Sequence, residues 1–467
     1  MGKRFWLLLP VVPLAACDGG PSAPVDSHPD LGSIVITWQG GTVDWGAPAP
    51  LTAAFEGGSA DDVVWRSLDD LYFGQPVILG RGTAITSAAL RPGTSTVEAA
   101  LEVDGVPIAR DSVEVSVRYR ESWNLTLEGH VPYPDGTVGD VWVDDGRAYV
   151  ARRSAGGISI VGLEGGAVEI GRFTAEGLFT QDVHAADGIA YVPHEPRLAQ
   201  GAAYPWSVTL VDAADPAQPV VRAGIPLDLA PTAHTVWLEG DLLTVAAPGT
   251  RFFLFDVSDP SAPQPRGSIE PLPSTAHDAH SRGGLFFGAS MGFNGNRGRL
   301  TVATIADPSN PVVLGEALFD VDALTHSCWL SPDGRFLYLT EENVNAPIRI
   351  YDVSSPAAPH LVGTYRPRLG TVPHHFLVRD ERWAYLSHYK HGVEVVDVSD
   401  PATPRLVGFY DTHPGADAEP TGLSPAHDEG QDLYEGAWGV HWTDDGRIVV
   451  SDMHRGLFVF RFAGPEN

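Results

Sequence analysis

One turn motif recurs five times in the second half of the chain, and its spacing constrains the fold more than any other feature. The prolines that follow its Asp or Ser are separated by 44, 48, 48 and 45 residues. The Asp or Ser side chain caps a turn after an apolar strand, and the proline fixes the first turn dihedral. The copies are VDAADPAQP (211–219), FDVSDPSAP (255–263), ATIADPSNP (303–311), YDVSSPAAP (351–359) and VDVSDPATP (396–404). Such a period indicates an array of similar small sheets.

A second repeated unit is a polar, glycine-containing corner between two apolar strands, as in VWVDDGRAYVA (141–151) and VHWTDDGRIVVS (440–451). Seven such corners and about four short strands in each ~45 residues predict an all-β, seven-bladed β-propeller over residues 120–463. The last unit ends at GLFVFRF (456–462) without an outer strand, and WNLTLEG (123–129) is an unmatched strand. Pairing these two segments would close the ring and remove an exposed edge.

The region before the repeats follows a different pattern. Residues 31–119 contain about seven alternating apolar runs separated by turn residues, which is typical of half-buried strands in a β-sandwich. The stretches VVWRSLDD (63–70), LRPGTSTVEAALEVDG (90–105) and DSVEVSV (111–117) resemble bacterial Ig-like and PKD-like modules. We expect an N-terminal Ig-like β-sandwich that acts as a spacer, because no catalytic grouping occurs in it.

The repeated DVSDPxxPxLVGxY pattern resembles the LVIVD-repeat family of secreted or surface bacterial propellers, over roughly residues 121–462. The resemblance implies a β-propeller at the cell surface. It does not imply a reaction, because that family lacks a common activity. The first unit departs from the pattern, with VGLEGGAVEIG (161–171) where the proline turn is expected.

The N-terminus predicts export and a lipid anchor. Residues 1–17 have a basic start, a short apolar core and the sequence Leu-Ala-Ala-Cys, which resembles a lipobox and would make Cys17 the lipidated residue. The polar stretch 18–30 reads as a flexible tether. We therefore expect an extracytoplasmic protein that is lipid-anchored to a bacterial membrane, at the cell surface or in the periplasm. Only Cys328 remains, so no intrachain disulfide is expected.

Charge limits the partners. The formal net charge of −29 argues against nucleic acid and against anionic membranes, so the only membrane contact expected is the lipid anchor. The partners left open are a protein, a glycan or a small-molecule ligand at the cell envelope.

Aligning the corners places one residue per unit at the entrance of each innermost strand, on one face of the ring. These positions hold Asp140, Asp182, His234, His277, His326, His374 and Trp438. The connection after each second strand reaches the same face and holds Arg152, His194, Glu341, His388 and Asp452, with His391 and His454 close behind. The long connection 412–438 adds His413, His427, Asp428 and Glu429. Of the adjacent His374 and His375, we expect only one to face the axis, because strand neighbours alternate.

Three interpretations of this convergence stay open. The first is that the residues cap strands and hold channel water, the second is that they bind a transition metal such as Zn, Cu or Fe, and the third is acid–base chemistry by a His–Asp pair. In the metal interpretation His234, His277, His326 and His374 are the ligand candidates, and Asp140 and Asp182 are second choices. The sequence thus predicts a binding or scaffold module with a His- and Asp-lined channel mouth. The alternative is a metal-dependent oxidoreductase or hydrolase.

Overall fold

The computed structural model describes residues 32–47, 50–196, 205–227, 232–249, 251–414 and 432–464. Within these ranges the chain forms β-strands and three short 3-10 helices, Ala60–Asp62, Ser87–Ala89 and Asp432–Tyr434. The predicted signal segment, Cys17 and the tether lie outside the described residues. Among the described residues, no helix is long and apolar enough to cross a membrane.

The N-terminal region forms two sheets around one core. The three-stranded sheet has the order β1 (Ser33–Thr37), β3 (Pro50–Glu56) and β6 (Ala84–Thr86). The five-stranded sheet has the order β2 (Thr42–Asp44), β8 (Val106–Arg118), β7 (Gly93–Val103), β4 (Val63–Tyr72) and β5 (Gln75–Arg81). Leu51 of the first sheet and Trp65 of the second are fully buried in the shared core. We call this region, residues 32–118, the N-terminal module.

The described residues after the N-terminal module include seven antiparallel sheets with at least four strands each. In six of them four strands follow one another in chain order, and the seventh takes its outer strand from the start of the ring. Sheet one is β11 (Val141–Asp144), β12 (Arg147–Ala151), β13 (Ile158–Gly162) and β14 (Val168–Phe173). Sheet two is β16 (His184–Ala186), β17 (Ile189–Pro193), β19 (Val208–Asp212) and β20 (Val220–Ile225), and β15 (Leu178–Phe179) pairs with β18 (Glu195–Pro196) beside it. Sheet three is β21 (Thr235–Glu239), β22 (Leu242–Ala247), β23 (Arg251–Asp256) and β24 (Gln264–Ile269).

The remaining four sheets follow the same plan. Sheet four is β25 (Thr275–Arg282), β26 (Leu285–Met291), β27 (Arg297–Thr304) and β28 (Val312–Val321). Sheet five is β29 (Thr325–Leu330), β30 (Phe336–Glu341), β31 (Ile348–Asp352) and β32 (His360–Tyr365). Sheet six is β33 (Phe376–Val378), β34 (Trp383–Ser387), β35 (Val393–Asp397) and β36 (Arg405–Tyr410), with β9 (Ser122–Trp123) on its outer edge. Sheet seven is β37 (Ala437–Trp442), β38 (Ile448–Asp452), β39 (Gly456–Phe462) and β10 (Leu125–Val131).

The seven sheets form a closed ring. The first strand of each sheet contacts the first strand of the next, and β37 of sheet seven returns to β11 of sheet one. The outer strand of sheet seven comes from the start of the ring, because β10 pairs antiparallel with β39 from Leu125↔Phe462 to Val131↔Leu457. This is the pairing expected from the two unmatched strands in the sequence. The arrangement is a β-propeller with a channel between the innermost strands.

The repeated turn joins the third and fourth strands of one sheet and packs against the outer strand of the preceding sheet. Asp256 Oδ1 accepts a hydrogen bond from the backbone N–H of Ser258 at 3.0 Å, which is the expected capping interaction. The glycine of the LVGxY strand is explained by the neighbouring turn, because a Cβ added at Gly315 would lie 2.5 Å from the carbonyl oxygen of Pro356. At Gly363 the corresponding distance to the Pro401 oxygen is 2.1 Å. The motif is therefore the contact surface between adjacent sheets.

The N-terminal module packs against sheets five and six. Phe409 of β36 belongs to the core of the module, where its ring centroid lies 3.5 Å from that of Trp45. The Arg368 guanidinium stacks over Trp45 at 4.4 Å. Asn345 Nδ2 donates to the Leu71 carbonyl at 2.9 Å. The region that we expected to be a spacer therefore also packs directly against the propeller.

Candidate metal centre at the channel mouth

Four histidines form a continuous row of imidazoles across one end of the channel, which we call the mouth. They lie at the start of the innermost strands of sheets three to six: His234 just before β21, His277 in β25, His326 in β29 and His374 just before β33. Successive ring centroids are 4.4, 4.3 and 4.2 Å apart. The four residues aligned from the sequence repeat are therefore brought together.

Oxygen acceptors fix the orientation of three of these rings. The Nδ1–H of His277 donates to the His326 carbonyl at 3.1 Å, and that of His374 donates to the Trp438 carbonyl at 2.6 Å. The Nδ1–H of His234 donates to Glu195 Oε1 at 2.5 Å. A neutral imidazole that donates from Nδ1 keeps its lone pair on Nε2, and this is the usual arrangement of a metal-ligating histidine.

Burial favours the neutral form of three of the mouth imidazoles. It lowers the pKa of His277, His326 and His374 well below the usual value, and the neighbouring imidazoles lower these pKa values further. A protonated histidine has no lone pair to donate, so a low pKa preserves the capacity to bind a metal down to acidic pH.

A glutamate missed in the sequence lies between two of the rings. The Glu342 carboxyl is 3.9 Å from His326 Nε2 and 4.0 Å from His374 Nε2, and it accepts a hydrogen bond from the Tyr389 hydroxyl. Burial raises the pKa of Glu342 to about 7. The sequence alignment had assigned the adjacent Glu341 to this face. Glu341 instead contacts Tyr72 of the N-terminal module and Arg349, so the aligned position was one residue too early.

The expectation that only one of His374 and His375 faces the axis was wrong. β33 begins at Phe376, so neither histidine lies within a strand and the alternation rule does not apply. The two rings stack at 4.2 Å, and the ligand nitrogens of His326, His374 and His375 all lie within 4.8 Å of one another. Since metal–nitrogen bonds are about 2.0–2.1 Å long, inward movements of less than about 1 Å per ring would let these nitrogens share one ion.

Below the histidines, three aspartates and His375 surround a small enclosed cavity of about 40 Å³. His375 Nδ1 lies 3.5 Å from Asp140 Oδ2, and Asp182 Oδ2 accepts a hydrogen bond from the Val236 backbone N–H at 2.7 Å. Burial would lower the pKa of His375, but Asp140, Asp278 and Asp182 outweigh it and raise the pKa to about 9. Burial raises the pKa of Asp278 to about 6 and that of Asp182 well above its usual value. Asp140 and Asp182 therefore line the channel beneath the imidazole row rather than joining it.

The remaining mouth residues are an aromatic pair and an arginine. Trp438, the seventh aligned position, lies 4.6 Å from the His374 ring, and Tyr389 lies 5.0 Å from it. Arg153 stacks over Trp438 at 5.4 Å and donates to Gln181 Oε1 at 2.8 Å. Asp278, Glu195 and Arg153 had no signal in the repeat alignment, because each lies one residue away from an aligned position.

The other residues assigned to this face make contacts elsewhere. His194 is buried between the hydroxyls of Thr180 and Thr209, at 3.3 and 2.9 Å. His388 lies 3.4 Å from Glu394. Asp452 caps a turn by accepting the His454 backbone N–H at 3.1 Å, and the His454 side chain is exposed. Arg152 pairs with Asp135, and the His391 ring lies 5.1 Å from that of His388. His427, Asp428 and Glu429 lie outside the described residues.

At the opposite end of the channel, side chains of the innermost strands form a cluster of tryptophans and histidines that we call the plug. It consists of Trp142, His184, Trp237, His280, Trp329, His441 and Trp442. His184 stacks on Trp142 at 3.6 Å, and His280 lies 4.1 Å from Trp237 and 5.1 Å from Trp329. Burial lowers the pKa of His184 to about 3 and that of His441 to about 4. Cys328, just before Trp329, is a buried thiol whose pKa burial raises.

Comparison with known families supports the repeat. A family model for the LVIVD repeat matches residues 231–270 and 380–412, which contain the turn motifs at 255–263 and 396–404. The chain therefore contains LVIVD repeats. No curated relative matches the sequence.

Several solved structures are similar to this chain at low sequence identity. "YCF48 bound to D1 peptide" has 9% identity and a TM-score of 0.47, and the match covers 73% of this chain and 96% of that one. A structural genomics protein of unknown function from Bacteroides thetaiotaomicron has 9% identity and a TM-score of 0.41, covering 92% and 98%. A putative 6-phosphogluconolactonase from Bacteroides fragilis has 12% identity and a TM-score of 0.45, covering 76% and 98%.

Proposed function

We propose that this protein is an extracytoplasmic binding module whose channel mouth holds one transition-metal ion, Zn, Cu or Fe. In this proposal the seven sheets are the blades of a seven-bladed propeller, the N-terminal module is Ig-like, and Cys17 carries a lipid anchor. A protein, glycan or small molecule at the cell envelope would bind at the metal-bearing mouth.

The observation that carries the metal proposal is the orientation of the buried imidazoles. His234, His277 and His374 each donate a hydrogen bond from Nδ1–H to an oxygen acceptor, so their Nε2 lone pairs remain available to bind a metal ion. His374 Nε2 and His326 Nδ1 are buried and have no hydrogen-bond partner among the described residues. Buried polar atoms without partners are costly, and a bound cation satisfies them.

The proximity of the donors selects the ligands. His326, His374 and His375 are the primary set, since their nitrogens already lie within 4.8 Å of one another. The pKa of His375 is raised to about 9, so metal binding at this residue would release its proton. Glu342 and His277 lie beside this set and would complete it. Imidazole nitrogens with one carboxylate suit Zn, Cu or Fe better than Mg or Ca, which prefer oxygen ligands.

The test is the metal content of the mature protein, purified without a histidine tag and measured by inductively coupled plasma mass spectrometry. We expect close to one transition-metal ion per chain. The double variant His326→Ala/His374→Ala should lose it, because both primary ligands are removed. Reloading the stripped wild-type protein with Zn or Cu should restore one equivalent.

A matched control separates ligation from histidine content. The variant His184→Phe/His280→Phe also removes two buried histidines from innermost strands, but at the plug, and it should keep the metal. Folding of both variants is checked by circular dichroism. A metal-free wild-type protein that also takes up no Zn, Cu or Fe would contradict the proposal, as would equal metal loss in both folded double variants.

A second candidate, a metal-dependent hydrolase or oxidoreductase, is favoured by the position of Glu342. Its carboxyl faces two proposed ligands and is oriented by the Tyr389 hydroxyl. A carboxylate in this position could accept a proton from a substrate or water bound at the metal. In this case Glu342→Gln should keep the metal and abolish turnover of a test ester such as p-nitrophenyl acetate. Absence of turnover in the metal-loaded wild-type protein with esters and common redox dyes would leave the binding module as the function.

The anchor has its own test. Labelled palmitate should be incorporated into the full-length protein expressed in a bacterium, and Cys17→Ser should abolish that labelling and release the protein from the membrane fraction. An unlabelled wild-type protein would show that the N-terminus is an ordinary signal peptide.

A further inference from the structure

A second concave site lies between the N-terminal module and the outer strands of sheets five and six, and none of the mouth histidines lines it. It is a cleft of about 1020 Å³, at the upper end of the volumes usual for ligand sites, and it is formed at a boundary between domains, where such sites are common. Its walls are β5 and β6 of the module and β32 and β36 of the propeller.

Sheet edges line this cleft. β5 is the last strand of the five-stranded sheet, and β32 is the last strand of sheet five. β36 pairs on its outer side with β9 only at Phe409 and Tyr410, so its first residues have no strand neighbour there among the described residues. An unpaired strand edge offers backbone N–H and C=O groups to an added strand. Ile78 on β5 and Leu361 on β32 are 41% and 50% exposed and provide apolar contacts on opposite walls.

The charge of the lining is opposite to that of the protein. Four arginines line the cleft, Arg81, Arg366, Arg382 and Arg405, against one aspartate, Asp397. Arg382 and Arg405 share Asp397, each at 3.4 Å. Among the described residues no carboxylate lies within 4.0 Å of Arg81 or Arg366. The net charge of the chain is −29, so this positive charge is confined to the cleft. At physiological salt, charges more than about 8 Å apart are largely screened, so a ligand in the cleft interacts mainly with the arginines and not with the negative charges elsewhere on the protein.

From the edges, the apolar walls and the charge together, we infer that the cleft binds an extended acidic segment of a partner protein as an added β-strand. Its backbone would pair with a strand edge, its acidic side chains would contact the arginines, and its alternate apolar side chains would lie against Ile78 and Leu361. This inference is independent of the metal centre and does not require it.

The test measures binding of a fluorescein-labelled decapeptide of alternating Glu and Val by fluorescence anisotropy on the full chain. We expect saturable binding that weakens as salt is raised. A decapeptide of alternating Lys and Val should bind at least tenfold more weakly. A Glu–Val decapeptide with alternate backbone nitrogens methylated should also lose at least tenfold, because it cannot form the strand hydrogen bonds.

Two double variants with the same change in net charge locate the site. Arg81→Glu/Arg405→Glu removes cleft charges and should weaken the Glu–Val peptide at least tenfold. Arg222→Glu/Arg266→Glu removes outer-strand arginines that pair with Asp212 and Asp256 on sheets two and three, outside the cleft lining, and should change binding less than twofold. If the first variant does not fold, Arg81→Gln alone should weaken binding at least threefold. No binding of the Glu–Val peptide, equal binding of the Lys–Val peptide, tight binding of the methylated peptide or equal losses in the two double variants would each overturn the inference.

Discussion

Two histidines on one strand, His277 and His280 of β25, show how differently the two ends of the channel treat the same side chain. His277 belongs to the mouth, and His280 belongs to the plug. Both are buried, and burial lowers the pKa of both well below the usual value. Neutrality alone therefore does not distinguish a ligand from a packing residue.

The neighbours make the difference. The His277 ring lies between the imidazoles of His234 and His326 and donates Nδ1–H to a carbonyl. His280 lies between the indoles of Trp237 and Trp329, and neither of its nitrogens has a hydrogen-bond partner among the described residues. Oxygen acceptors orient a lone pair, whereas aromatic faces only fill space. This contrast supports the proposal that the mouth binds a ligand, whereas the plug residues pack against one another.

The largest predicted difference between the plug and the mouth is in the stability lost when a tryptophan is removed. Trp329 contacts three other indoles, those of Trp142, Trp237 and Trp442, at ring-centroid distances of 5.2 to 6.4 Å, and its indole N–H donates to the Val378 carbonyl at 2.9 Å. Trp329→Ala should lower the free energy of unfolding by about 3–5 kcal/mol, because it empties the centre of the plug. Urea unfolding monitored by circular dichroism measures this loss.

The matched change at the mouth is Trp438→Ala. Trp438 is partly buried, as Trp329 is, but its ring packs against one imidazole, one phenol and one guanidinium group instead of three indoles. Its removal should therefore cost less, below about 2 kcal/mol. It should also weaken metal binding, since the Trp438 ring that packs against His374 at 4.6 Å is removed. If the two tryptophan variants were equally destabilised, the proposed difference in packing between the plug and the mouth would be wrong.

The next effect is the acid sensitivity of the plug. Its histidines have folded-state pKa values below the unfolded value of about 6.5, so the unfolded chain binds more protons below that pH. Their contribution to stability is complete above about pH 6.5 and falls as the pH drops towards about 4 for His441 and about 3 for His184. Each such group adds a slope of about 1.4 kcal/mol per pH unit in that window.

His280→Phe tests this slope directly. Between pH 6 and 4.5, the unfolding free energy of the variant should fall by about 1.4 kcal/mol less per pH unit than that of the wild type. At pH 7 the variant should be at least as stable, since phenylalanine replaces two buried nitrogens that lack partners. Urea unfolding at four pH values is sufficient. An unchanged slope would mean that His280 titrates alike in the folded and unfolded chains, which would contradict its placement in the plug.

Part of the fold and of the candidate site was predictable from the sequence. The Asp–Pro turns, the glycine of LVGxY and the closing strand pair are local or periodic, so the ring and the row of His234, His277, His326 and His374 were predictable. Glu342 and His375 were not, because their orientation depends on where β30 ends and β33 begins, and sequence patterns locate strand ends poorly. Trp142, Trp237 and Trp329 each belong to a different repeat, so their contact is not visible in the sequence pattern. Only closure of the ring brings them together as one plug.

The docking of the N-terminal module on the propeller was also not predictable from the sequence. Its contact next to the mouth should give the smallest of the predicted effects. The Tyr72 hydroxyl donates to Glu341, which adjoins Glu342 at the mouth, and Arg349 donates to the same hydroxyl at 3.4 Å. Tyr72→Phe should cost about 1 kcal/mol or less of unfolding free energy, the usual net value of one hydrogen bond. It should weaken Zn binding roughly threefold by isothermal titration calorimetry, a smaller loss than for a direct partner of a ligand.

Tyr119→Phe is the control for this last prediction. Tyr119 directly follows the module, and its hydroxyl donates to Asp411 Oδ2 of the propeller at 2.9 Å, but Asp411 lies next to Thr412 and not beside Glu342. The two variants should lose similar stability, while only Tyr72→Phe should weaken Zn binding. Equal Zn affinities in the two variants would show that the module supports the propeller only mechanically. A selective loss at Tyr72 would instead make the module part of the mouth, and the contrast between the two ends of the channel would then extend beyond the ring itself.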